Sequence, residues 1–286
     1  MSKYHDVSKV DHITINWHII EKCNYTCDYC FAKYDKPLKK EIHSSQENIV
    51  RLLNKVYLYF SAKYEGFKII LNVAGGEPTL SGNLDFIIKK AYEIGFHVSI
   101  ITNLSKITST FIESNVKYLS IFATSIDSLD NSTNIKIGRS SNNKALCKEK
   151  IIQVINQVRE EKNNIEIKIN TVVNEYNYEE YLGDFIALIR PIKWKIFQAL
   201  SINKNRIYCT SQQFNIFLDR NKSMNSKIYE ESNDDMIDSY IMIDPYGRFY
   251  QNTDGEYIYS KSIIGCSVEN AFKSINFNFN KFSKRY

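Results

Sequence analysis

Two kinds of hydrophobic pattern alternate along this chain. Some stretches, such as His12 to Ile19, place apolar residues at every second position, which predicts a β-strand. Others, such as Ser44 to Tyr64, space apolar residues three or four apart, which predicts a helix. The predicted strands are His12–Ile19, Lys68–Val73, Phe96–Thr102, Tyr118–Ser125, Ile165–Val173 and Lys193–Gln198. The predicted helices are Ser44–Tyr64, where Ser44 and Glu47 form a capping box, Leu84–Glu93, which stops at Gly95, Ala145–Glu161 and Glu179–Ile189.

Strands that alternate with helices indicate βαβ units, which build a parallel sheet with right-handed crossovers. The chain has 286 residues, 43% of them hydrophobic, and α/β barrels of this length form one domain. We therefore expect an α/β fold in a single domain, residues 1–286, with its core at about 10–200. In the remainder, about 201–286, a helix is predicted at 211–221 and a hairpin at 239–251. We interpret this segment as an extension that caps the mouth of the barrel.

Three predicted strands carry polar residues along one face, although strands that helices cover on both sides are normally apolar throughout. These polar positions are Asn16, His18, Lys168, Asn170, Lys193 and Lys195. We interpret the polar faces as the lining of an internal cavity, which needs a ligand or a hydrogen-bond network to satisfy it. The alternative is that these strands lie at open edges of the sheet, where charged side chains face water.

Lys168, Lys193 and Lys195 place three cations on neighbouring strands, on what we expect to be the same interior face. Buried like charges repel one another and lose their hydration. A polyanion such as a triphosphate would satisfy them. The alternative is that all three are ordinary solvated lysines.

Composition and charge argue against several classes of protein. The net charge of +5, from 37 basic and 32 acidic residues, is small and dispersed, so it does not predict a nucleic-acid groove. No apolar run approaches a membrane span, and Met1 to Asp11 lacks the apolar segment of a signal peptide. The cysteines form no paired framework, which favours the reducing cytoplasm. We expect a cytoplasmic protein that binds neither nucleic acid nor membranes.

Cys23, Cys27 and Cys30 lie within eight residues, in the spacing C-x3-C-x2-C, directly after the first predicted strand. Thiolates suit zinc and iron–sulfur clusters. Structural zinc sites and electron-transfer clusters normally have four protein ligands, so three thiolates would leave one metal position open for chemistry. The alternatives are three free thiols, or a zinc site closed by a histidine such as His18 or His43.

Further candidates lie where predicted strands end, which is where parallel sheets bind their ligands. Gly75, Gly76 and Glu77, followed by Pro78, come after the second strand, and two glycines allow a ligand to approach the backbone closely. Thr102, Asn103 and Ser125 end or follow later strands and are candidates to bind a ribose or a carboxylate, and Arg139 is a candidate for a forked ion pair with a carboxylate. For each residue the alternative is a turn or capping role.

The cysteine spacing and the later Gly-Gly-Glu-Pro segment resemble those of radical S-adenosylmethionine (SAM) enzymes. The resemblance implies a partial (β/α)6 parallel barrel whose three cysteines bind a [4Fe-4S] cluster, with SAM chelating the fourth iron. One electron would cleave SAM to methionine and a 5'-deoxyadenosyl radical. The resemblance further implies that Gly75, Gly76 and Glu77 lie at the amino group of SAM. It also places Tyr29 and Phe31 beside the cofactor.

Motifs over most of the chain narrow the resemblance to the viperin family and its prokaryotic members. They are Asn16-x-His18, Cys23-Asn24-Tyr25, Tyr29-Cys30-Phe31, Gly75-Gly76-Glu77-Pro78, Ser125-x-Asp127-Ser128, Ile137-Gly138-Arg139, Lys168-Ile169-Asn170, Trp194-Lys195-x-Phe197-Gln198 and Asp238-Ser239-Tyr240. The resemblance implies a dehydratase that converts CTP, UTP or GTP to the 3'-deoxy-3',4'-didehydro nucleotide, an antiviral chain terminator. The deoxyadenosyl radical would take the ribose 4' hydrogen, and the 3'-hydroxyl would leave as water after one-electron reduction.

The same resemblance assigns roles to the polar residues. Lys168, Lys193 and Lys195 would hold the triphosphate, and Asn16 and Asn170 would orient the base or ribose. His18 and Lys33 complete the substrate-binding candidates. The implied partners are the nucleotide and an electron donor of the flavodoxin or ferredoxin type, and we expect a monomer.

The chain also departs from the animal members of that family. Ile70 stands where they carry a triphosphate-binding lysine, with Lys68 two residues earlier, and Ala74 replaces a serine. The segment after Cys30 is shorter, and the longer C-terminal tail of the animal proteins is missing. These differences leave the phosphate contacts and the base preference open.

Two other hypotheses remain. One is a different radical SAM enzyme with a nucleotide-like substrate, such as the GTP-cyclising enzyme of molybdopterin synthesis, which carries a second set of cysteines. Cys209 and Cys266 lack that spacing. The other is a binding module that senses zinc or redox state, and it predicts a colourless protein that contains zinc.

Overall fold

The computed structural model describes residues 10–37, 39–200, 206–224, 226–253 and 255–285. Most of the N-terminal stretch for which we predicted no signal peptide, and Tyr286, lie outside these residues. The strands are β1 (His12–His18), β2 (Lys68–Ala74), β3 (His97–Thr102), β4 (Leu119–Ser125), β5 (Glu166–Val173), β6 (Lys193–Gln198), β7 (Ile228–Glu231), β8 (Ile241–Ile243), β9 (Arg248–Thr253) and β10 (Glu256–Ser262). The helices are α1 (Gln46–Lys63), α2 (Leu84–Ile94), α3 (Ser109–Asn115), α4 (Asn131–Lys136), α5 (Lys148–Glu161), α6 (Gly183–Ile189), α7 (Ser211–Arg220), α8 (Val268–Lys273) and α9 (Phe279–Ser283).

The sheet has six core strands that pair in parallel in chain order, from β1 to β6. Each of the six predicted strands is present, with ends that differ by one residue at most. The α/β fold with a parallel sheet is therefore confirmed. Apolar residues on the outer faces of the strands pack against the helices in one continuous core.

Helix α1 illustrates how local sequence sets the helix ends. Its predicted apolar stripe from Ile49 to Phe60 is buried, but the predicted capping box is wrong. The cap is Ser45, whose side chain accepts a hydrogen bond from the backbone N–H of Asn48 at 3.3 Å, whereas Ser44 donates its hydroxyl to the carbonyl of Glu41 at 2.7 Å. Helix α2 ends as predicted, because Gly95 adopts a left-handed conformation with φ of 115°.

Two predicted helices begin later than their apolar pattern suggested. The helix predicted from Ala145 begins at Lys148, and the helix predicted from Glu179 begins at Gly183. In the second case the preceding residues form turns, in which the backbone N–H of Glu180 donates to the carbonyl of Asn177 at 2.9 Å. The short helices α3 and α4 were not predicted.

The C-terminal extension contributes strands to both edges of the core sheet. Strand β7 pairs with β6, and β8 pairs in parallel with β1. The predicted hairpin is confirmed, since β8 and β9 pair antiparallel, and β10 adds a strand that we did not predict. Among the described residues the strand order is β10-β9-β8-β1-β2-β3-β4-β5-β6-β7.

This topology decides between the two interpretations of the polar strand faces. Strand β5 lies between β4 and β6, and β6 pairs with β7 on its other side. Neither β5 nor β6 is therefore an open edge of the sheet, and the edge alternative is wrong. Lys168 is the register partner of Lys193, and Asn170 is the partner of Lys195. Paired residues of parallel strands face the same way, so these four side chains share one face of the sheet.

Candidate active site

The loop that carries Cys23, Cys27 and Cys30 follows β1 and docks against the turn after α4. The backbone N–H of Thr26 donates to the carbonyl of Gly138 at 3.0 Å, and the N–H of Asp28 donates to the carbonyl of Ile137 at 3.3 Å. Gly138 has φ of 77°, and a Cβ atom there would lie 2.3 Å from the carbonyl oxygen of Thr26. Only glycine fits this position, so the turn at 137–139 is shaped to receive the cysteine loop.

The three thiols have the chemistry of a cluster site. The backbone N–H of Tyr25 lies 3.3 Å from the sulfur of Cys23, a hydrogen bond of the kind that tunes cluster thiolates. Burial raises the pKa of Cys27 to about 12 and raises that of Cys23 and Cys30, so a thiolate forms here when a metal replaces the proton.

A zinc site closed by a histidine receives no support from the geometry. Among the residues that the structure describes, no three His, Cys, Asp or Glu side chains converge on a single metal ion. This criterion does not apply to a [4Fe-4S] cluster, in which each of the three thiolates would bind a different iron.

The two glycines after β2 lie against the backbone that leads into the cysteine loop. Gly76 donates its N–H to the carbonyl of Ile20 at 2.7 Å, and Glu77 donates its N–H to the carbonyl of Lys22 at 2.9 Å. A Cβ atom on Gly76 would lie 2.2 Å from the Lys22 carbonyl oxygen. The glycines therefore admit the backbone that leads into Cys23.

The carboxylate of Glu77 is buried and joins the ends of β2 and β3. It accepts hydrogen bonds from the hydroxyls of Thr79 and Thr102, each at 2.7 Å, and from the backbone N–H of Asn103 at 2.8 Å. The Asn103 side chain donates to Asn24 at 3.1 Å, so the β3 end also supports the cysteine loop. The hydrogen bond between Thr102 and Glu77 thus holds the ends of β2 and β3 together.

Arg139 is in the turn after α4, and its side chain lies beside both the end of β4 and the cysteine loop. Its guanidinium donates to the carbonyl of Ser125 at 2.6 Å and forms an ion pair with Asp127 at 3.1 Å. The hydroxyl of Tyr29 donates to the same carboxylate. Ser125, Asp127 and Arg139 line a pocket of about 300 Å³ together with Tyr25 and Asn103. The structure therefore brings the predicted residues Asn103, Ser125 and Arg139 together.

The interior face of the sheet contains buried polar atoms that lack partners within the described chain. They are the hydroxyl oxygens of Thr14 and Ser99 and the amide oxygen of Asn170. Asn16, by contrast, accepts a hydrogen bond from Asn72 at 2.8 Å and donates to the carbonyl of Ile241 at 3.3 Å. A buried polar atom without a partner is costly, so this face is suited to a polar ligand.

The three lysines lie on this interior face and are electrostatically strained. Burial and, to a smaller extent, the charge of the neighbouring Lys195 together lower the pKa of Lys193 to about 7. Burial lowers the pKa of Lys168 well below its usual range, and Lys195 and Lys193 add to that effect. Buried cations that lower one another's pKa favour an anionic ligand.

Comparison with known proteins identifies the family. The sequence model of the Radical SAM superfamily matches residues 17–189. A protein of Psychrobacter lutiphocae named S-adenosylmethionine-dependent nucleotide dehydratase is 42% identical over 284 residues, which cover 96% of this chain and 94% of that protein. The chain belongs to the radical SAM superfamily, in its nucleotide dehydratase family.

More distant relatives agree. A Danio rerio protein named S-adenosylmethionine-dependent nucleotide dehydratase RSAD2 is 32% identical over 95% of this chain and 76% of its own length. Among solved structures, anSMEcpe with bound AdoMet has a TM-score of 0.65 at 14% identity, covering 96% of this chain and 79% of that one. Streptococcus suis SuiB has a TM-score of 0.58 at 16% identity, and the match covers 84% of this chain and 60% of that one. These structures show the radical SAM fold.

Membership of the superfamily implies two cofactors, a [4Fe-4S] cluster and SAM, and the three-thiol loop fits that cluster.

None of the helices in the described ranges has both the length and the apolar character that a membrane span requires.

The chain contains a buried cluster of charged side chains that was not predicted from the sequence. Glu231, at the end of β7, accepts from Lys195 at 2.5 Å and from Tyr240, and it pairs with Arg285. The guanidinium of Arg285 also lies over the Tyr240 ring, 3.4 Å from its centroid. Asp238-Ser239-Tyr240 was noted as a motif, but its contact with a carboxylate on β7 is a tertiary feature.

The remaining predicted residues differ in burial: His18 is buried, whereas Phe31 and Lys33 are exposed. His18 is buried, and its Nδ1 atom is hydrogen-bonded to Tyr34 and, at 3.3 Å, to Tyr250. Burial lowers the pKa of His18 to about 4, so its ring is neutral at pH 7. Phe31 packs edge-on against His18, with ring centroids 5.6 Å apart, whereas Lys33 is exposed on the loop after Cys30.

Proposed function

We propose that this chain is a radical SAM dehydratase that converts a nucleoside triphosphate, CTP, UTP or GTP, to its 3'-deoxy-3',4'-didehydro form. The observation that carries the proposal is the set of lysines at 168, 193 and 195, whose side chains share one interior face of β5 and β6. SAM carries a single carboxylate and does not need three more cations. A triphosphate does, because its oxygens bear several negative charges.

The charges around the cavity support a polyanionic ligand. Glu231 neutralises one of the nearby cations, and Arg285 adds a fourth cation to the three lysines. The interior face beside β5, β6 and β7 therefore carries more basic than acidic side chains. Charge-assisted hydrogen bonds from phosphate oxygens would restore the protonated form of lysines whose pKa burial has lowered.

The chain's own residues would bind and orient the reactants. Cys23, Cys27 and Cys30 would hold the cluster, and the cluster with SAM would supply the radical chemistry at the ribose 4' position. The lysines would fix the triphosphate, and the partnerless amide oxygen of Asn170 would accept a hydrogen bond from the base or the ribose. Arg139 would donate two hydrogen bonds to the carboxylate of SAM. The enclosing strands would keep water away from the reacting carbon.

The test is turnover by the reconstituted enzyme. We would incubate anaerobically reconstituted protein with SAM, dithionite and each nucleoside triphosphate in turn. We expect 5'-deoxyadenosine above the nucleotide-free control with at least one of CTP, UTP and GTP, together with a nucleotide product lighter by one water. If no triphosphate raises 5'-deoxyadenosine above that control, the assignment is wrong.

We further propose that an acidic electron carrier of the flavodoxin or ferredoxin type docks beside the cysteine loop. Five lysines beside and after this loop are exposed, and one of them, Lys36, pairs with Glu21 at 3.4 Å: Lys22, Lys33, Lys36, Lys39 and Lys40. Opposite charges steer such encounters, and salt screens them. Turnover with the protein donor should therefore fall steeply with ionic strength, whereas turnover with dithionite should not. Equal salt dependence with both reductants would contradict this docking site.

The biological setting is part of the same proposal. A chain-terminating nucleotide product would act in antiviral defence, and the enzyme would work as a cytoplasmic monomer. Fractionation of cells that express the chain, and light scattering of the purified protein, test the location and the oligomeric state.

A further inference from the structure

The structure contains a buried carboxylate, that of Asp127, which contacts both the cysteine loop and Arg139. Asp127 lies two residues beyond β4, and its side chain is fully buried. One of its oxygens accepts from the backbone N–H of Val172 on β5 at 2.8 Å. The other pairs with Arg139 at 3.1 Å and accepts the hydroxyl of Tyr29.

Tyr29 belongs to the loop between Cys27 and Cys30, so Asp127 holds the cysteine loop through this residue. The loop is also tied to the turn at 137–139 by backbone hydrogen bonds, and Arg139 is the last residue of that turn. The cysteine loop, the arginine and the sheet therefore meet at one carboxylate.

The contact also fixes the direction of the guanidinium of Arg139. Asp127 holds one terminal nitrogen, and the carbonyl of Ser125 holds the other at 2.6 Å. A guanidinium has five N–H donors, so it can make both contacts and still present donors to a ligand. Arg139 and Ser125 also line the 300 Å³ pocket beside the cysteine loop.

We propose that Asp127 is a positioning residue for SAM binding, which orients Arg139 towards the carboxylate of SAM and, through Tyr29, fixes the cysteine loop relative to it. The proposal rests on the proposed role of Arg139 in binding SAM. Asparagine at 127 would offer one acceptor oxygen where the carboxylate uses two, and it would leave the buried guanidinium without its counter-ion.

The test measures SAM affinity and uses two substitutions at this position. Asp127→Asn removes the charge and keeps the size, and Asp127→Glu keeps the charge and displaces it. In reconstituted protein of matched iron content, we expect either variant to raise the Kd for SAM roughly ten- to a hundred-fold, the range typical of residues that orient ligand-binding groups. If Asp127→Asn does not fold, Asp127→Glu still provides the measurement, because the buried charge remains paired.

A matched control comes from a second buried aspartate. Asp244 is fully buried and pairs with Arg248 at 2.6 Å, but it lies in the turn of the β8–β9 hairpin. Asp244→Asn should lower the thermal midpoint as Asp127→Asn does, and leave the Kd for SAM within about two-fold of the parent value. Tyr29→Phe removes only the loop contact and should reduce the iron retained per chain more than it changes the SAM affinity of loaded protein.

Arg139→Lys separates this inference from the assignment on which it rests. If Asp127 acts through Arg139, the double variant should bind SAM about as weakly as Arg139→Lys alone, because the two effects are not additive. Normal SAM affinity in both Asp127 variants, with weak binding by Arg139→Lys, would make Asp127 merely structural. Normal affinity in Arg139→Lys would refute the proposed SAM contact, and this inference with it.

Discussion

Lys195 donates a hydrogen bond to Glu231 at 2.5 Å, and each side chain is only 2% exposed. The pair joins β6 to the strand that the C-terminal extension adds beside it. Arg285 and Tyr240 contact the other oxygen of the same carboxylate. A cation proposed to bind the triphosphate is therefore held in place by a residue far along the chain.

Lys195→Met should impair both stability and nucleotide binding. Removing one partner of a buried ion pair leaves an uncompensated charge, and we expect a loss of about 3 kcal/mol, the low end of the usual range, because Arg285 and Tyr240 still contact Glu231. Denaturant unfolding measures this loss, and the nucleotide KM should rise at least about ten-fold. The matched control is Lys148→Met at an exposed lysine on α5, which should change neither quantity. Equal KM values for the two variants would contradict a role of Lys195 in binding phosphate.

Nucleotide affinity should decrease as pH rises through neutrality. Burial lowers the pKa of Lys193 to about 7, far below its usual value, so in the ligand-free protein this side chain loses its charge above that pH. A bound triphosphate favours the charged form, so binding takes up a proton, and the Kd should rise by up to about ten-fold per pH unit between about pH 7 and pH 8.5. Calorimetric titration in buffers of different ionisation enthalpy measures both the affinity and the proton uptake.

Lys193→Arg provides the control for that pH dependence. Arginine stays protonated over this range, so the variant should bind nucleotide with a flatter pH profile. An unchanged pH slope in this variant would assign the proton to another group.

Gly76→Ala should detach the cysteine loop. An added Cβ atom would lie 2.2 Å from the carbonyl oxygen of Lys22, and backbone at this position cannot move without displacing Cys23. We expect the variant to retain less iron after reconstitution and to unfold at a lower temperature. Gly82→Ala is the matched control, because a Cβ atom there meets no atom within 4 Å, and it should match the parent in both measurements. Full iron retention in Gly76→Ala would contradict the docking of these two backbone segments.

Two adjacent serines test the observed helix cap. Ser45→Ala removes the side chain that accepts from the N–H of Asn48, so it should reduce the free energy of unfolding by about 1 kcal/mol. Ser44→Ala removes only an exposed hydroxyl contact with Glu41 and should cost less than about 0.5 kcal/mol. Chemical denaturation of the two variants compares them directly. A larger loss in Ser44→Ala would favour the cap predicted from sequence.

Much of the fold was predictable because its signals are local. The period of two in β1 and the three- to four-residue spacing in α1 arise from backbone geometry, and each reports its own segment without reference to the rest of the chain. Gly95 ends α2 for a similarly local reason. Short helices such as α4 escaped prediction because six residues are too few to show a helical period. Strand β10 is as long as β1, but its consecutive Tyr257, Ile258 and Tyr259 interrupt the alternation of polar and apolar residues.

The candidate site was predictable in its residues more than in its contacts. The spacing of Cys23, Cys27 and Cys30 identified the metal-binding loop, and the lysines on β5 and β6 indicated an anionic ligand. The sequence did not reveal that Gly76 packs against Lys22. It also did not predict that the Glu77 carboxylate would accept hydrogen bonds from Thr102 and Asn103 at the end of β3.

By itself, the sequence determined the order of strands and helices, the three-thiol loop and the polar faces of the strands, because each depends on residues close together in the chain. Only the tertiary structure decided that β7 and β8 close both edges of the core sheet, that Glu231 and Arg285 join Lys195, and that Asp127 links Tyr29 to Arg139. The physical reason is that a buried charge needs a partner, and that partner is chosen by which backbone segments the sheet brings together, not by distance along the chain.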